Sequence, residues 1–156
     1  MLLLKAVFPL PEVTFRTRHA ADVICRIRTE RPNVTVGAGT VLSVEDLKRA
    51  VEAGAMFGVA PGLNRAADAP SMRFPFFPGV TSPSDIERAL SLGFRTLKFF
   101  PASAAGGVAM LKSLVAPYAH LGVELIPTGG ITKIFPSRHG VKSPAAAERS
   151  ISRFSK

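Results

Sequence analysis

The sequence predicts an α/β fold whose centre is a parallel sheet assembled from βα units, and three observations lead there. Short apolar or β-branched segments alternate with stretches whose apolar residues recur at helical spacing. Most strand-like segments end in Gly, Pro or Thr, as at Gly37-Ala38-Gly39-Thr40, Pro61-Gly62, Pro78-Gly79 and Thr128-Gly129-Gly130. Two of the helical stretches open on capping signals, Ser43 with Asp46 and Ser82-Pro83-Ser84-Asp85. In such an architecture the chemistry belongs at the carboxyl ends of the strands.

Each element follows from local cues. Glu12-Val13-Thr14-Phe15-Arg16 is a brief β-type segment, after which Thr17 offers a cap for a helix from about Arg18 to Glu30. Ala21, Ile24 and Ile27, with Val23 beside them, form its apolar stripe, and Pro32 ends it. Val34-Thr35-Val36 reads as the second strand, with Gly37-Ala38-Gly39-Thr40 as a small-residue turn behind it. Ser43 starts a helix carrying Leu47, Ala50 and Val51, closed at Gly54. Met56-Phe57-Gly58-Val59 is the third strand. Residues 63–73 divide between a helical turn at Ala66-Ala67-Asp68-Ala69 and its interruption by Pro70. Phe74 to Phe77 reads as a strand despite its proline, and the helix from Ser82 runs through Ile86, Ala89 and Leu90 to Gly93. Thr96-Leu97-Lys98-Phe99-Phe100 is the next strand, stopped at Pro101. A helix from about Gly107 to Val115, ended by Pro117, leads to the strand Val123 to Ile126.

Composition narrows the classes of function. A chain of 156 residues supports one domain with a real core. Its 47% hydrophobic content and mean hydropathy of +0.24 fit a soluble globular protein. No apolar run reaches the roughly 18 residues that a membrane span requires. Met1 to Pro9 is broken by Lys5 and Pro9, and reads as neither anchor nor signal peptide. The single cysteine, Cys25, allows no internal disulfide and suits a reducing cytoplasm. The net charge is +9, but 6 of the 20 Lys/Arg and only 1 of the 11 Asp/Glu fall within residues 133–156. The body is therefore mildly basic, and the rest is a Ser- and Ala-rich basic tail expected to be weakly ordered. No nucleic-acid signature accompanies it, so a solvated tail is the expectation. His19, His120 and His139 lack ligand spacing, which argues against a metal site.

The chemistry-bearing residues at the predicted strand ends are Glu12, Arg16, Thr40, Lys98 and the backbone around Thr128-Gly129-Gly130. Lys98 stands out as the one charge in an apolar strand. Such a lysine either reaches water from an edge position or sits desolvated among Leu97, Phe99 and Phe100, and a neutral amine is the group that attacks ketones. A carboxylate to move protons, an arginine to hold a carboxylate by two parallel bonds and a glycine-rich anion loop would complete a site for an anionic oxo-acid. Singly, each residue has a plainer reading as a surface charge or a turn.

Taken together, six ordered motifs resemble the KHG/KDPG aldolases. They are Glu12-Val13-Thr14-Phe15-Arg16-Thr17, Val36-Gly37-Ala38-Gly39-Thr40-Val41-Leu42, Ala60-Pro61-Gly62-Leu63, Leu97-Lys98-Phe99-Phe100-Pro101-Ala102, Gly106-Gly107-Val108 and Pro127-Thr128-Gly129-Gly130-Ile131. The resemblance implies a TIM (β/α)8-barrel family fold and a class I aldolase splitting 2-keto-3-deoxy-6-phosphogluconate, and often 4-hydroxy-2-oxoglutarate, with pyruvate as a product. It implies Lys98 as the Schiff-base lysine, Glu12 as the proton-transferring carboxylate, and Arg16 and Thr40 as holders of the oxo-acid end. Pro61 and Phe100 would line the pocket, and Thr128, Gly129 and Gly130 would bind phosphate. It further implies no cofactor or metal, a small-molecule oxo-acid as partner, a cytoplasmic location and a homotrimer.

The resemblance covers about residues 3–131, so the expected organisation is a partial aldolase barrel domain at 1–131 and a divergent basic tail at 132–156. About six of the eight strands of a closed barrel are expected, matching the family's second to seventh, with Met1 to Val7 resembling the end of the first helix. Strands one and eight are neighbours in a closed barrel, so their loss would leave one gap with two parallel edges. The alternative expectation is therefore a catalytically impaired family remnant that acts by association with full-length subunits.

Overall fold

The computed structural model describes residues 10–64 and 73–130. In chain order these form β1 (Glu12–Thr14), α1 (Ala20–Glu30), β2 (Gly37–Gly39), α2 (Val44–Glu52), β3 (Phe57–Val59), β4 (Phe76–Phe77) and β5 (Gly79–Val80). Then come α3 (Pro83–Ser91), β6 (Thr96–Phe99), α4 (Gly107–Val115), a short 3-10 helix (Ala116–Leu121) and β7 (Glu124–Pro127). All strand pairings are parallel, in the orders β1-β2-β3-β4 and β5-β6-β7. No helix among the described residues is long and apolar enough to cross a membrane.

The two sheets meet at one proline. The Pro78 carbonyl accepts from the Lys98 N–H at 2.8 Å, while the preceding Phe77 carbonyl accepts from Ala60 N–H at 3.3 Å. Residues 76–80 therefore serve β3 with their first half and β6 with their second, and Pro78, having no N–H, marks the changeover. This is why the single strand expected at Phe74 to Phe77 is instead two short ones, and six expected strands become seven segments.

Side chains alternate across the sheet, and the two faces have different duties. Toward the helices, Ala38, Val80, Leu97, Phe99 and Leu125 are buried against Ile24, Leu47, Ile86 and Leu111. On the opposite, inner face, Phe57, Val59, Phe77 and Ile126 form a second, smaller cluster with Leu10 packed on it. Lys98 alternates with Leu97 and Phe99 and so belongs to the inner face. The expectation that Leu97 and Phe99 surround its amine is thereby corrected, because a period of two sends them to the helix side. The edge-strand alternative is corrected too: β6 is paired on both sides, to β5 and to β7.

The second strand also differs from its expected position. Pairing runs over Gly37–Gly39 and not over Val34-Thr35-Val36, whose β-branched residues suggested it. Close approach explains the shift. A Cβ on Gly37 would collide with the Phe57 ring, and one on Gly39 with the Glu12 carboxyl group, so any larger residue at these inner-face positions displaces the side chain lying over it.

The helix caps hold where the sequence signals were strongest. Ser43 accepts from the Asp46 N–H at 3.0 Å. Ser82 and Asp85 form a reciprocal capping box with Pro83 in the first turn. The start of α1 is corrected: its N-cap is His19, not Thr17, and no side chain caps it. The Thr17 carbonyl instead accepts from the Ala20 N–H at 3.3 Å in a preceding turn. At the other end of α1, Arg28 donates to the Pro32 carbonyl at 3.0 Å and reaches the Val34 carbonyl at 3.4 Å, joining helix to sheet. The expected helical turn at Ala66 to Ala69, and the tail at 132–156, lie outside the described residues.

Candidate active site

Lys98 sits near the carboxyl end of a fully paired strand, in register with Gly79 on one side and Ile126 on the other. Its neighbour Gly79 offers no side chain, and Ile126 belongs to the inner apolar cluster. The amine lies 5.1 Å from the centroid of the Phe100 ring. That distance falls within the range where a cation is attracted to an aromatic face. Lys98 is half-buried.

Glu12 starts β1 and lies on the inner face too. Its carboxylate leans over Gly39 on β2, two residues beyond its register partner Gly37, and so points toward the carboxyl ends of the strands. Gly39 leads directly into Thr40, which has φ 55. A β-branched residue in this left-handed region is a real outlier and costs on the order of 1–3 kcal/mol. Arg16 follows β1 at the same end, exposed, with no ion pair among the described residues.

The loops after β6 and β7 are laced together. Ala102 N–H donates to the Thr128 carbonyl at 2.8 Å, Ser103 N–H to the Gly129 carbonyl at 3.0 Å, and Thr128 N–H to the Phe99 carbonyl at 3.0 Å. Gly129 and Gly130 take φ 91 and 73, conformations that glycine adopts freely. A Cβ on Gly129 would stand 3.1 Å from the Phe100 ring, so this loop packs on the same ring as the lysine amine. The Thr128 hydroxyl is buried and has no hydrogen-bond partner among the described residues. Leaving such a group unmet costs about 1–3 kcal/mol, which makes it a ready partner for a ligand or water.

The structure thus brings Lys98, Phe100, Thr128 and Gly129 into one neighbourhood, and sets Glu12 beside Gly39 and Thr40. Pro61 joins through its backbone: a Cβ on Gly79 would collide with the Pro61 carbonyl, so the loop after β3 presses on the strand paired with Lys98. Three residues escaped the sequence reading. Gly39 and Gly79 act by being empty, and Asn64 acts through its side-chain amide, which donates to the Val41 carbonyl at 3.0 Å. Only small residues opposite a carboxylate or a proline turn hinted at the first two. A shallow hollow of about 390 Å³ lies between α1 and α2 near Arg18, Cys25 and Arg49, away from these strand ends. No group of three or more His, Cys, Asp or Glu residues able to hold a metal ion occurs among the described residues.

A family model described as "Aldolase: KDPG and KHG aldolase" matches residues 2–141. The 2-dehydro-3-deoxy-phosphogluconate aldolase of Haemophilus influenzae is 48% identical over 122 residues, 77% of this chain and 57% of that protein. Among solved structures, the 2-keto-3-deoxy-6-phosphogluconate aldolase of Zymomonas mobilis with 3-phosphoglycerate superposes with a TM-score of 0.73 at 41% identity, covering 80% of this chain and 59% of the other. The KDPG aldolase of Legionella pneumophila, with pyruvate captured as a covalent carbinolamine intermediate, gives a TM-score of 0.72 at 38% identity, over 78% and 59%. The chain spans 57% of the length of the first curated relatives it matches.

Proposed function

This chain belongs to the KDPG and KHG aldolase family, and from that premise we propose that it is a class I, Schiff-base aldolase with pyruvate as a product. The observation that carries the reading is the inner face itself. A lysine on a doubly paired strand has its amine against an aromatic ring, and a carboxylate on the same face leans toward the same end of the sheet. The covalent pyruvate adduct of the Legionella relative supports the same chemistry. We read the described sheet as the greater part of a (β/α)8 barrel wall.

The mechanism follows from the positions. Lys98 Nζ attacks the C2 ketone of the substrate, and loss of water gives the iminium. Glu12, acting through water, takes the proton of the C4 hydroxyl; the C3–C4 bond breaks, and its electron pair is received by the iminium as an enamine. The aldehyde leaves, C3 is protonated, and hydrolysis returns the free amine and pyruvate. Arg16 and Thr40 hold the carboxylate of the oxo-acid, and Pro61 and Phe100 line its path. With 2-keto-3-deoxy-6-phosphogluconate the aldehyde is glyceraldehyde 3-phosphate, whose phosphate meets the amides of Gly129 and Gly130 beside Thr128. With 4-hydroxy-2-oxoglutarate it is glyoxylate. A homotrimer is the proposed assembly.

Borohydride reduction in the presence of pyruvate tests the reading. The expected result is a pyruvate-derived mass increase confined to the peptide containing Lys98, and its absence in Lys98→Met. No increase, or one spread over surface lysines, would overturn it.

A further inference from the structure

We infer that Asn64 is a positioning residue for this site, fixing the left-handed turn at Thr40 through which the substrate carboxylate is held. The inference rests on the aldolase reading and deepens it. Its starting point is the conformation of Thr40, φ 55, which a β-branched residue does not hold unless its surroundings impose it. On the near side, the Gly39 carbonyl accepts from the Phe15 N–H at 2.7 Å. On the far side, the Val41 peptide is gripped at both polar groups: its N–H donates to the Val59 carbonyl at 3.1 Å, and its carbonyl accepts from the Asn64 amide at 3.0 Å. The Val41 side chain is itself fully buried.

Asn64 comes from the loop that carries Pro61. That loop presses its Pro61 carbonyl on Gly79, and Gly79 is the register partner of Lys98. One short segment, residues 60–64, therefore touches both halves of the site. It reaches the strand of the amine through Pro61 and the turn of the carboxylate holder through Asn64. The chemistry of the side chain suits the task. An amide donates to a carbonyl while staying neutral, whereas an aspartate in its place would set oxygen against oxygen and an alanine would leave the Val41 carbonyl without this donor. The geometric effect should fall on binding of the oxo-acid, because Thr40 meets the carboxylate and not the reacting carbon.

The test is the concentration dependence of pyruvate trapping at Lys98 in wild type, Asn64→Asp, Asn64→Ala and Arg28→Ala. Arg28 provides the control, since it also clips backbone carbonyls, at Pro32 and Val34, but at the opposite ends of the strands. The half-saturating pyruvate concentration is expected to rise about tenfold or more in both Asn64 variants once the bond to the Val41 carbonyl is lost, with unchanged trapping at saturation. Arg28→Ala is expected to melt earlier with an unaltered half-saturation. Wild-type half-saturation in folded Asn64→Asp, or an equal rise in Arg28→Ala, would overturn the inference. Failure of the wild-type chain to trap pyruvate would sink the aldolase reading, and this inference with it.

Discussion

At Glu12 and Gly39 a single missing methyl group decides where a carboxylate can go. On the aldolase reading, Glu12→Gln would leave the imine chemistry proposed for Lys98 in place and remove the proposed proton acceptor, so pyruvate trapping should persist. Cleavage of the phosphorylated sugar acid, followed as pyruvate release, should fall by about 10²- to 10⁴-fold. Gly39→Ala puts a Cβ in the space of the Glu12 carboxyl group, so the Glu12 side chain must swing aside and cleavage should fall, but by less than in Glu12→Gln. Undiminished cleavage by Glu12→Gln would refute the role given to Glu12. Thr40 argues in the reverse direction: Thr40→Gly releases the cost of φ 55 and should raise stability by about 1 kcal/mol in urea unfolding, while the half-saturating pyruvate concentration rises. At this scale the sequence was informative about identities and silent about vacancies. Lys98 was visible near a strand's carboxyl end, whereas Glu12, expected there too, starts β1 and reaches that end only through its side chain. The emptiness of Gly39 and Gly79 acquires meaning only when strands distant in sequence lie side by side.

Among elements, α3 shows how a local signal becomes a stabilising device. Burial pushes the Asp85 carboxyl up, but bonds from the Thr81 and Ser82 N–H groups and hydroxyls outweigh it and hold the group below the ordinary carboxylate range. A carboxyl lowered in the folded state stabilises the protein above its unfolded value, about pH 3.9, and that contribution is lost as pH falls through the folded value. Urea titrations from neutral to acid pH should therefore show a steeper acid loss of stability in wild type than in Asp85→Asn. Identical slopes would mean the capping box carries no linkage. Ser82→Ala should cost about 1 kcal/mol at neutral pH. The caps of α2 and α3 were legible because Ser and Asp three residues apart settle the matter locally. Thr17 misled because His19 starts α1 with no side-chain cap at all. Val34-Thr35-Val36 misled because β-propensity yields to the inner-face space that Phe57 and Glu12 require over Gly37 and Gly39.

For the whole molecule, the question is how two sheets, β1 to β4 and β5 to β7, hold Glu12 and Lys98 on one inner face. Among the described residues β1 pairs only with β2, and β7 only with β6, while Glu12 lies on the first of these strands and Lys98 one strand in from the last. In a parallel pair, alternate residues bond to the same neighbour. Phe15 N–H goes to Gly39 on one side, and Glu124 and Thr128 N–H go to Arg95 and Phe99 on the other. The amides of Thr14 and Leu125 consequently point away from the described sheet, whereas the Lys98 amide is bonded inside it at 2.8 Å. Native-state hydrogen exchange should find Thr14 and Leu125 exchanging faster than Phe15, Lys98 and Thr128, by about two orders of magnitude or more, since edge opening needs only local fluctuation and central exchange needs the sheet to separate. On the aldolase reading, the rate of pyruvate trapping should then drop at denaturant concentrations that release the β1 amides, before those of β6, because loss of β1 removes Arg16, the proposed holder of the pyruvate carboxylate, and spares Lys98. Equal protection of edge and centre would instead mean that a further strand, from this chain or a second one, lies along both edges and that the site is held by a closed wall.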